Sequence, residues 1–377
     1  MTNSLQTPSK KLERAEQRKL LALDGGGIRG LVTIEILEEI ETLLRAELGR
    51  GEDFVLADYF DYIAGTSTGA IIATCLALGM KVMDVREFYL RSGAEMFDKA
   101  SVLRRFRYRY EDDRLARQLQ TVIGKDTSLG SDRLKTLLMI VLRNATTDSP
   151  WTISNNPLAK YNDTGRADCN LNFPLWQLVR ASTAAPTYFP PEVIDVGAKQ
   201  FIFVDGGVTM YNNPAFQLFL MATVEPYKLC WPAGEDRMLL VSVGTGTSPV
   251  ANANLQPGEM NLLYNASSIP SALMYAALIE QDFLCRTFGR CLVGDELDRE
   301  VGDMHEAAGL LSEKLFTYCR YNAELTDAGL ARLGLSDIVP GDVQQLDSVR
   351  HMGALQRVGS AVARHQVRRE HFAKFAK

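Results

Sequence analysis

The chain is read outward from Asp61-Tyr62-Ile63-Ala64-Gly65-Thr66-Ser67-Thr68-Gly69-Ala70. An apolar run enters Gly-Thr-Ser-Thr-Gly, and a second apolar run, Ala70 to Leu78, leaves it. That pattern predicts a strand, a tight turn and a helix with Ser67 at the apex, the layout of a nucleophile elbow. Gly65 and Gly69 sit two residues either side of the serine, where strand and helix pass so closely that a Cβ would clash. Thr66 and Thr68 flank Ser67, and the helix N-terminus behind it favours developing negative charge. Taken alone, the same motif is equally a plain Gly/Ser-rich turn.

Upstream, Lys19-Leu20-Leu21-Ala22-Leu23 reads as a buried strand. Asp24-Gly25-Gly26-Gly27-Ile28-Arg29-Gly30 follows as a loop, and Leu31 to Leu48 as an amphipathic helix with Glu35, Glu38, Glu39 and Glu41 on its wet side. Strand, Gly-x-Gly-x-x-Gly and helix also spell the dinucleotide fingerprint. That fingerprint wants an acidic residue closing a second strand about 20 residues on, and here those positions are still helix. The competing reading is an anion site made of consecutive backbone N–H groups at a helix N-terminus.

Downstream, residues 82–130 read as helical and polar. Within them Arg104-Arg105-Phe106-Arg107-Tyr108-Arg109-Tyr110 interleaves cations with aromatics, either a solvated face or a contact for phospholipid headgroups or a nucleotide. Strands are expected at Leu137–Leu142 and Trp151–Ser154, a helix at Pro174–Ala184, and a hairpin from Val193–Val196 and Gln200–Val204 across Gly197. The second arm runs into Asp205-Gly206-Gly207, and Met238–Val243 is a further strand. Beyond Asn252 strand signals fade, so 260–290 and 303–377 read as mainly helical. Arg350 to Lys377 holds seven Lys/Arg against the single Glu370.

Alternating strands and helices predict an α/β fold: a mostly parallel sheet flanked by helices, with sites at the carboxyl ends of strands. The expected organisation is a loosely held tail over 1–18, a catalytic unit over 19–250, and a mainly helical 251–377 packed on it. At 377 residues, 46% hydrophobic, 23% charged and net −5, the chain resembles an ordinary globular protein and gives no signal for a nucleic-acid polymer. Gly69 to Met80 falls short of the ~18 apolar residues of a membrane span, and the polar first residues lack a signal-peptide core. Six cysteines without C-x-x-C read as free, mostly buried thiols of a reducing cytosol. No His/Cys cluster has metal-ligand spacing, so neither metal nor cofactor is expected.

A serine hydroxyl is a poor nucleophile until a base takes its proton. All four histidines, His305, His351, His365 and His371, lie beyond residue 304. Asp205, between apolar Phe201–Val204 and two glycines, is the alternative, because burial raises the proton affinity of a carboxylate. An Asp before Gly-Gly is also a common turn former. The N–H groups of Gly26 and Gly27 are candidate oxyanion donors, and Arg29 either adds positive charge or braces the loop.

Asp24–Gly30, Gly65–Gly69, Ala181–Pro191, Asp205–Gly207, Asn212-Asn213-Pro214 and Val243–Gly246, in that order, together resemble patatin-like phospholipases. The resemblance spans about residues 20–247 and implies a three-layer patatin-like fold that hydrolyses lipid acyl esters through an acyl-enzyme. It implies Ser67 as nucleophile, Asp205 as its partner in a dyad without histidine, Gly206 and Gly207 beside it, and Gly25, Gly26, Gly27, Arg29 and Gly30 as the oxyanion loop. More loosely, the architecture with Phe316–Asn322 resembles bacterial patatin-like effectors, some of them switched on by cyclic oligonucleotides in anti-phage signalling. The expected partners are membrane phospholipids, met at the inner face of the membrane without a span, a cyclic di- or oligonucleotide activator, and a second copy of the chain. Two other readings stand beside this one: an α/β-hydrolase triad using His305, and a nucleotide-sensing module with a vestigial hydrolase site.

Overall fold

The computed structural model describes residues 12, 15–97, 114–186, 188–248, 262–305, 307 and 310–376. The Arg104–Tyr110 stretch and the junction around 250 lie outside them. Among the described residues nine strands form one sheet: β1 Arg18–Leu23, β2 Tyr62–Thr66, β3 Leu137–Asn144, β4 Ser149–Ser154, β5 Glu192–Val196, β6 Lys199–Asp205, β7 Met238–Val243, β8 Arg290–Val293 and β9 Thr317–Tyr321. The longer helices are α1 Gly30–Glu47, α2 Thr68–Ala77, α3 Val82–Phe97, α4 Arg114–Ile123, α5 Leu175–Ser182, α6 Ala215–Thr223, α7 Leu262–Phe288 and α8 Met352–Gln366.

Hydrogen-bonded neighbours run β5-β6-β3-β2-β1-β7-β9-β8, with β4 also on β3. From β3 to β8 every pair is parallel, whereas β4, β5 and β6 pair antiparallel. The central strands are apolar throughout because both faces are covered. Leu21, Leu23 and Ile63 pack with α1, α2, α3, α4, α5 and α8 on one face. Leu20, Ala22, Tyr62 and Tyr318 pack with α6 and Cys285 of α7 on the other.

Two findings depart from the sequence reading. The C-terminal part, where strand signals fade, supplies a central strand: β9 is fully buried and lies inside the sheet, bonded to β7 on one side and β8 on the other. Its five residues, Thr-Tyr-Cys-Arg-Tyr, carry an arginine that breaks the apolar run by which a central strand is recognised. Glu35 is not on a wet face either, being only 8% exposed. The C-terminal α8 lies across α1 there, with Gly359 against the Val32 carbonyl. The Glu35 carboxylate accepts from Gln356 at 2.9 Å and Ser360 at 3.2 Å, and it lies 3.5 Å from Arg86. A buried carboxylate needs such partners, and these stand too far along the chain for helical periodicity to reveal them.

All six cysteines are free, and Cys230 alone is exposed. Among the described residues no helix is long and apolar enough to cross a membrane. Among them, too, no group of three His, Cys, Asp or Glu could hold a metal ion.

Candidate active site

The elbow forms as its glycines require. Ser67 sits at φ 54°, ψ −121° between β2 and α2, a strained conformation that a non-glycine residue rarely holds without a functional reason. A Cβ on Gly65 would stand 2.1 Å from the Gly69 carbonyl oxygen, and one on Gly69 would stand 2.3 Å from the Leu23 carbonyl oxygen. The turn therefore tolerates no side chain at either position. The Ser67 N–H donates to Ser182 Oγ at 2.9 Å, and Ser182 Oγ donates to the Val141 carbonyl at 2.7 Å. Thr66 Oγ1 donates to the Tyr211 carbonyl, and the Thr68 and Tyr89 hydroxyls pair.

Strand register brings Asp205 to the serine. Val141 of β3 faces Thr66 on one side and Thr152 on the other, while Leu142 faces Asp205 and Trp151. Since β4 takes the second edge at both positions, β2 and β6 share the first: β2 ends where β6 arrives from the opposite direction. The carboxyl ends of the two strands meet head-on, which places the Ser67 hydroxyl 2.7 Å from Asp205 Oδ2, to which it donates. The other oxygen, Asp205 Oδ1, accepts the Gly207 N–H at 2.6 Å. A Cβ on Gly206 would stand 2.2 Å from the Val141 carbonyl oxygen, so the Asp-Gly-Gly turn packs on β3 with no space to spare.

Asp205 is 4% exposed. Burial pushes its carboxyl up to about 6, against the opposing hydrogen bonds from Ser67 and Gly207 and the positive charge of Arg180. Desolvation penalises the charged form, so this carboxylate is a far better proton acceptor than a free one and remains ionised at neutral pH. His305, by contrast, bonds the Gly294 carbonyl through Nε2 at 3.0 Å and lies 3.3 Å from Asp303 through Nδ1.

The Gly-rich loop lies against the elbow. A Cβ on Gly25 would come within 3.3 Å of Ser67 Cβ and 2.3 Å of Asn212 Oδ1. The Gly25 N–H donates to the Asn212 carbonyl, and the Gly25 carbonyl accepts from Thr245 Oγ1. The Ile28 N–H donates to the Leu346 carbonyl at 3.0 Å. Among the described residues the N–H groups of Gly26 and Gly27 have no protein acceptor. Gly27 holds φ +58°, and a Cβ there would meet the Leu346 carbonyl oxygen at 2.3 Å. Arg29 Nε reaches back to the Gly26 carbonyl at 3.4 Å, bracing the loop. Burial lowers this guanidinium to about 10, with Asp24 opposing, so it stays charged. Gly30 opens α1 beside Thr68, where a Cβ would stand 2.6 Å from Thr68 Oγ1.

The sequence reading placed no role on Ser182, Asn212 or Arg320. Arg320 clamps Asp24, at the root of the Gly-rich loop, through Nη1 at 2.9 Å and Nη2 at 2.6 Å. The signal for it in the sequence is a cation inside the otherwise uncharged pentapeptide Thr-Tyr-Cys-Arg-Tyr.

The family model described as patatin-like phospholipase matches residues 21–219, a span that includes the loop, the elbow and the Asp-Gly-Gly turn. A cGAMP-activated phospholipase of Vibrio cholerae is 32% identical over 212 residues, 53% of this chain and 56% of that protein. Patatin-T5 of Solanum tuberosum is 29% identical over 250 residues, 62% of this chain and 61% of that protein. The chain thus spans less than two thirds of the length of these curated relatives. Among solved structures, VipD from Legionella pneumophila aligns with 91% of this chain and 67% of its own length at TM-score 0.36 and 14% identity. With more than half of its residues under one family match, the chain belongs to the patatin-like phospholipase family.

Proposed function

We propose that this protein is a lipid acyl hydrolase that cleaves phospholipid esters with Ser67 as nucleophile and Asp205 as its base. The observation that carries the reading is the 2.7 Å hydrogen bond from the Ser67 hydroxyl to a buried carboxylate of raised proton affinity. Asp205 takes the hydroxyl proton as Ser67 Oγ bonds to the ester carbonyl carbon. The oxygen that becomes negative is received by the N–H groups of Gly26 and Gly27, which among the described residues have no protein acceptor to give up. As the tetrahedral adduct collapses, Asp205 returns the proton to the departing alkoxide and the acyl group stays on Ser67. Water then attacks the acyl-enzyme by the same route and regenerates the hydroxyl. Residues Gly25 and Gly30 let the loop approach the elbow, and Arg29 holds its shape.

The substrate is met at a lipid surface. Val208 and Met210, exposed at 37% and 45% just beyond the Asp-Gly-Gly turn, are apolar side chains available to a lipid surface. The named activity of the Vibrio cholerae relative favours a second layer, in which a cyclic di- or oligonucleotide activates hydrolysis. In the cationic segment from Arg350, Arg357, Arg369 and Lys374 already pair with Asp337, Glu47 and Asp236, so phosphate groups would compete with those carboxylates, and residues 251–377 are then the regulatory part of the chain. Such a ligand acts only by binding the active arrangement more tightly than the resting one.

The test is hydrolysis of a fluorogenic phospholipid by wild type and Ser67→Ala, with and without a panel of cyclic nucleotides, beside calorimetric binding. Activity that Ser67→Ala abolishes and one nucleotide raises supports both layers. Full activity without any nucleotide, with no binding across the panel, leaves an unregulated lipid acyl hydrolase. Nucleotide binding with no hydrolysis under any condition would make the site vestigial.

A further inference from the structure

The Gly-rich loop is anchored by residues that lie outside the matched family segment. At its start, the Asp24 carboxylate faces the Arg320 guanidinium, each oxygen taking one N–H. At its end, the Ile28 N–H is fixed by the Leu346 carbonyl. Between these anchors stand Gly26 and Gly27, whose N–H groups have no protein acceptor among the described residues. We propose that Arg320 is a positioning residue for hydrolysis: through Asp24 it sets the direction in which the Gly26 and Gly27 N–H groups point. This rests on the reading of those groups as oxyanion donors.

The side chains of Arg320 and Asp24 are 2% and 1% exposed. Burying an ion pair gains little over an apolar pair of equal volume, so stability alone is a weak reason for it. Geometry is a better one. The guanidinium is a rigid fork matched to a carboxylate, and Arg320 Nη1 also donates to Ser242 Oγ on β7 at 2.8 Å. Arg320 stands on β9, whose Ser242↔Arg320 and Val243↔Tyr321 register with β7 is fixed by the sheet. The fork therefore transmits the position of the sheet to the first residue of the loop. Lysine would keep the charge but lose two-point contact, and Asp24 would then be free to turn.

Donor alignment matters only where negative charge develops, so misalignment lowers kcat and leaves KM alone. Loss of one aligned donor costs roughly 10²–10³ in turnover, so loosening two is expected to cost about tenfold to a hundredfold. The experiment measures kcat and KM of a soluble ester for wild type, Arg320→Lys and the Asp24→Asn/Arg320→Gln double variant, which removes both charges of the pair should Arg320→Lys fail to fold. Tyr321→Phe, on the same strand as Arg320, removes a buried hydroxyl bonded to His371 and is the control for general loosening. The expected result is a kcat at least tenfold lower at unchanged KM in folded Arg320→Lys or the double variant, with Tyr321→Phe within about twofold of wild type. Wild-type kcat in a folded Arg320 variant, or an equal kcat loss in Tyr321→Phe at matched melting temperature, overturns the assignment. Ser67→Ala separates the layers: if it keeps turnover, the site reading falls as a whole, and if it is inactive while an Arg320 variant is not, only Arg320 falls.

Discussion

Replacing Asp205 with asparagine is expected to abolish turnover and to make the protein more stable at neutral pH. The side chain can keep its neighbours, since the amide oxygen can accept from Gly207 and the amide nitrogen can donate to Ser67 Oγ. What changes is the charge. The carboxyl ordinarily loses its proton near 3.8, and in the folded protein burial moves this to about 6. The folded state therefore binds a proton that the unfolded chain has already released. The corresponding stability is fully present below pH ~4 and is lost as pH rises through about 6. A displacement of about two units at 1.36 kcal/mol each makes the penalty roughly 3 kcal/mol above pH ~6. The asparagine variant carries no such penalty. In a chain of this size that is a rise of a few °C in melting temperature. The assay is thermal unfolding of both proteins from pH 4 to 8. The expected curves coincide near pH 4 and separate until about pH 6, with Asp205→Asn higher and inactive. A variant less stable than wild type by a constant amount at every pH, or one that retains turnover, would refute the reasoning.

Other outcomes follow from the same geometry. The kcat/KM of wild type should rise with pH through a single ionisation near 6 and then level off, because the base must be unprotonated; a profile flat from pH 5 to 8 contradicts an Asp205 base. Gly27→Ala should lower kcat by about 10²-fold or more, since a Cβ there is strained at φ +58° and collides with the Leu346 carbonyl; a change confined to KM would speak against a transition-state role. His305→Ala should keep most activity, because its ring is engaged with Gly294 and Asp303; a variant as inactive as Ser67→Ala would point to a triad.

Much of the site was legible because close backbone approach demands glycine, and glycine is visible in a sequence. Gly65, Gly69 and Gly206 each stand where a Cβ would lie within 2.3 Å of a backbone oxygen, and such motifs mark the turns that carry Ser67 and Asp205. The strands were legible because burial on two faces leaves continuous apolar runs, as in Leu20–Leu23. Their meeting was not. The antiparallel β6 joins the edge of β3 that β2 leaves, and that depends on register between segments over a hundred residues apart. Arg320 and Glu35 were missed for a related reason. A charged residue in an apolar pattern reads as solvent-facing until its partner is known, and Asp24 and the pair Gln356 and Ser360 lie at the far end of the chain.

The central claim is that Ser67 carries the acyl group. Mass spectrometry of the protein quenched during turnover of a slowly hydrolysed p-nitrophenyl ester tests it directly, with Ser67→Ala and Asp205→Asn treated alike. One acyl group is expected on the peptide containing Ser67 in wild type and none in either variant. Steady hydrolysis with no acyl adduct, or an adduct on another residue that persists in Ser67→Ala, would contradict it.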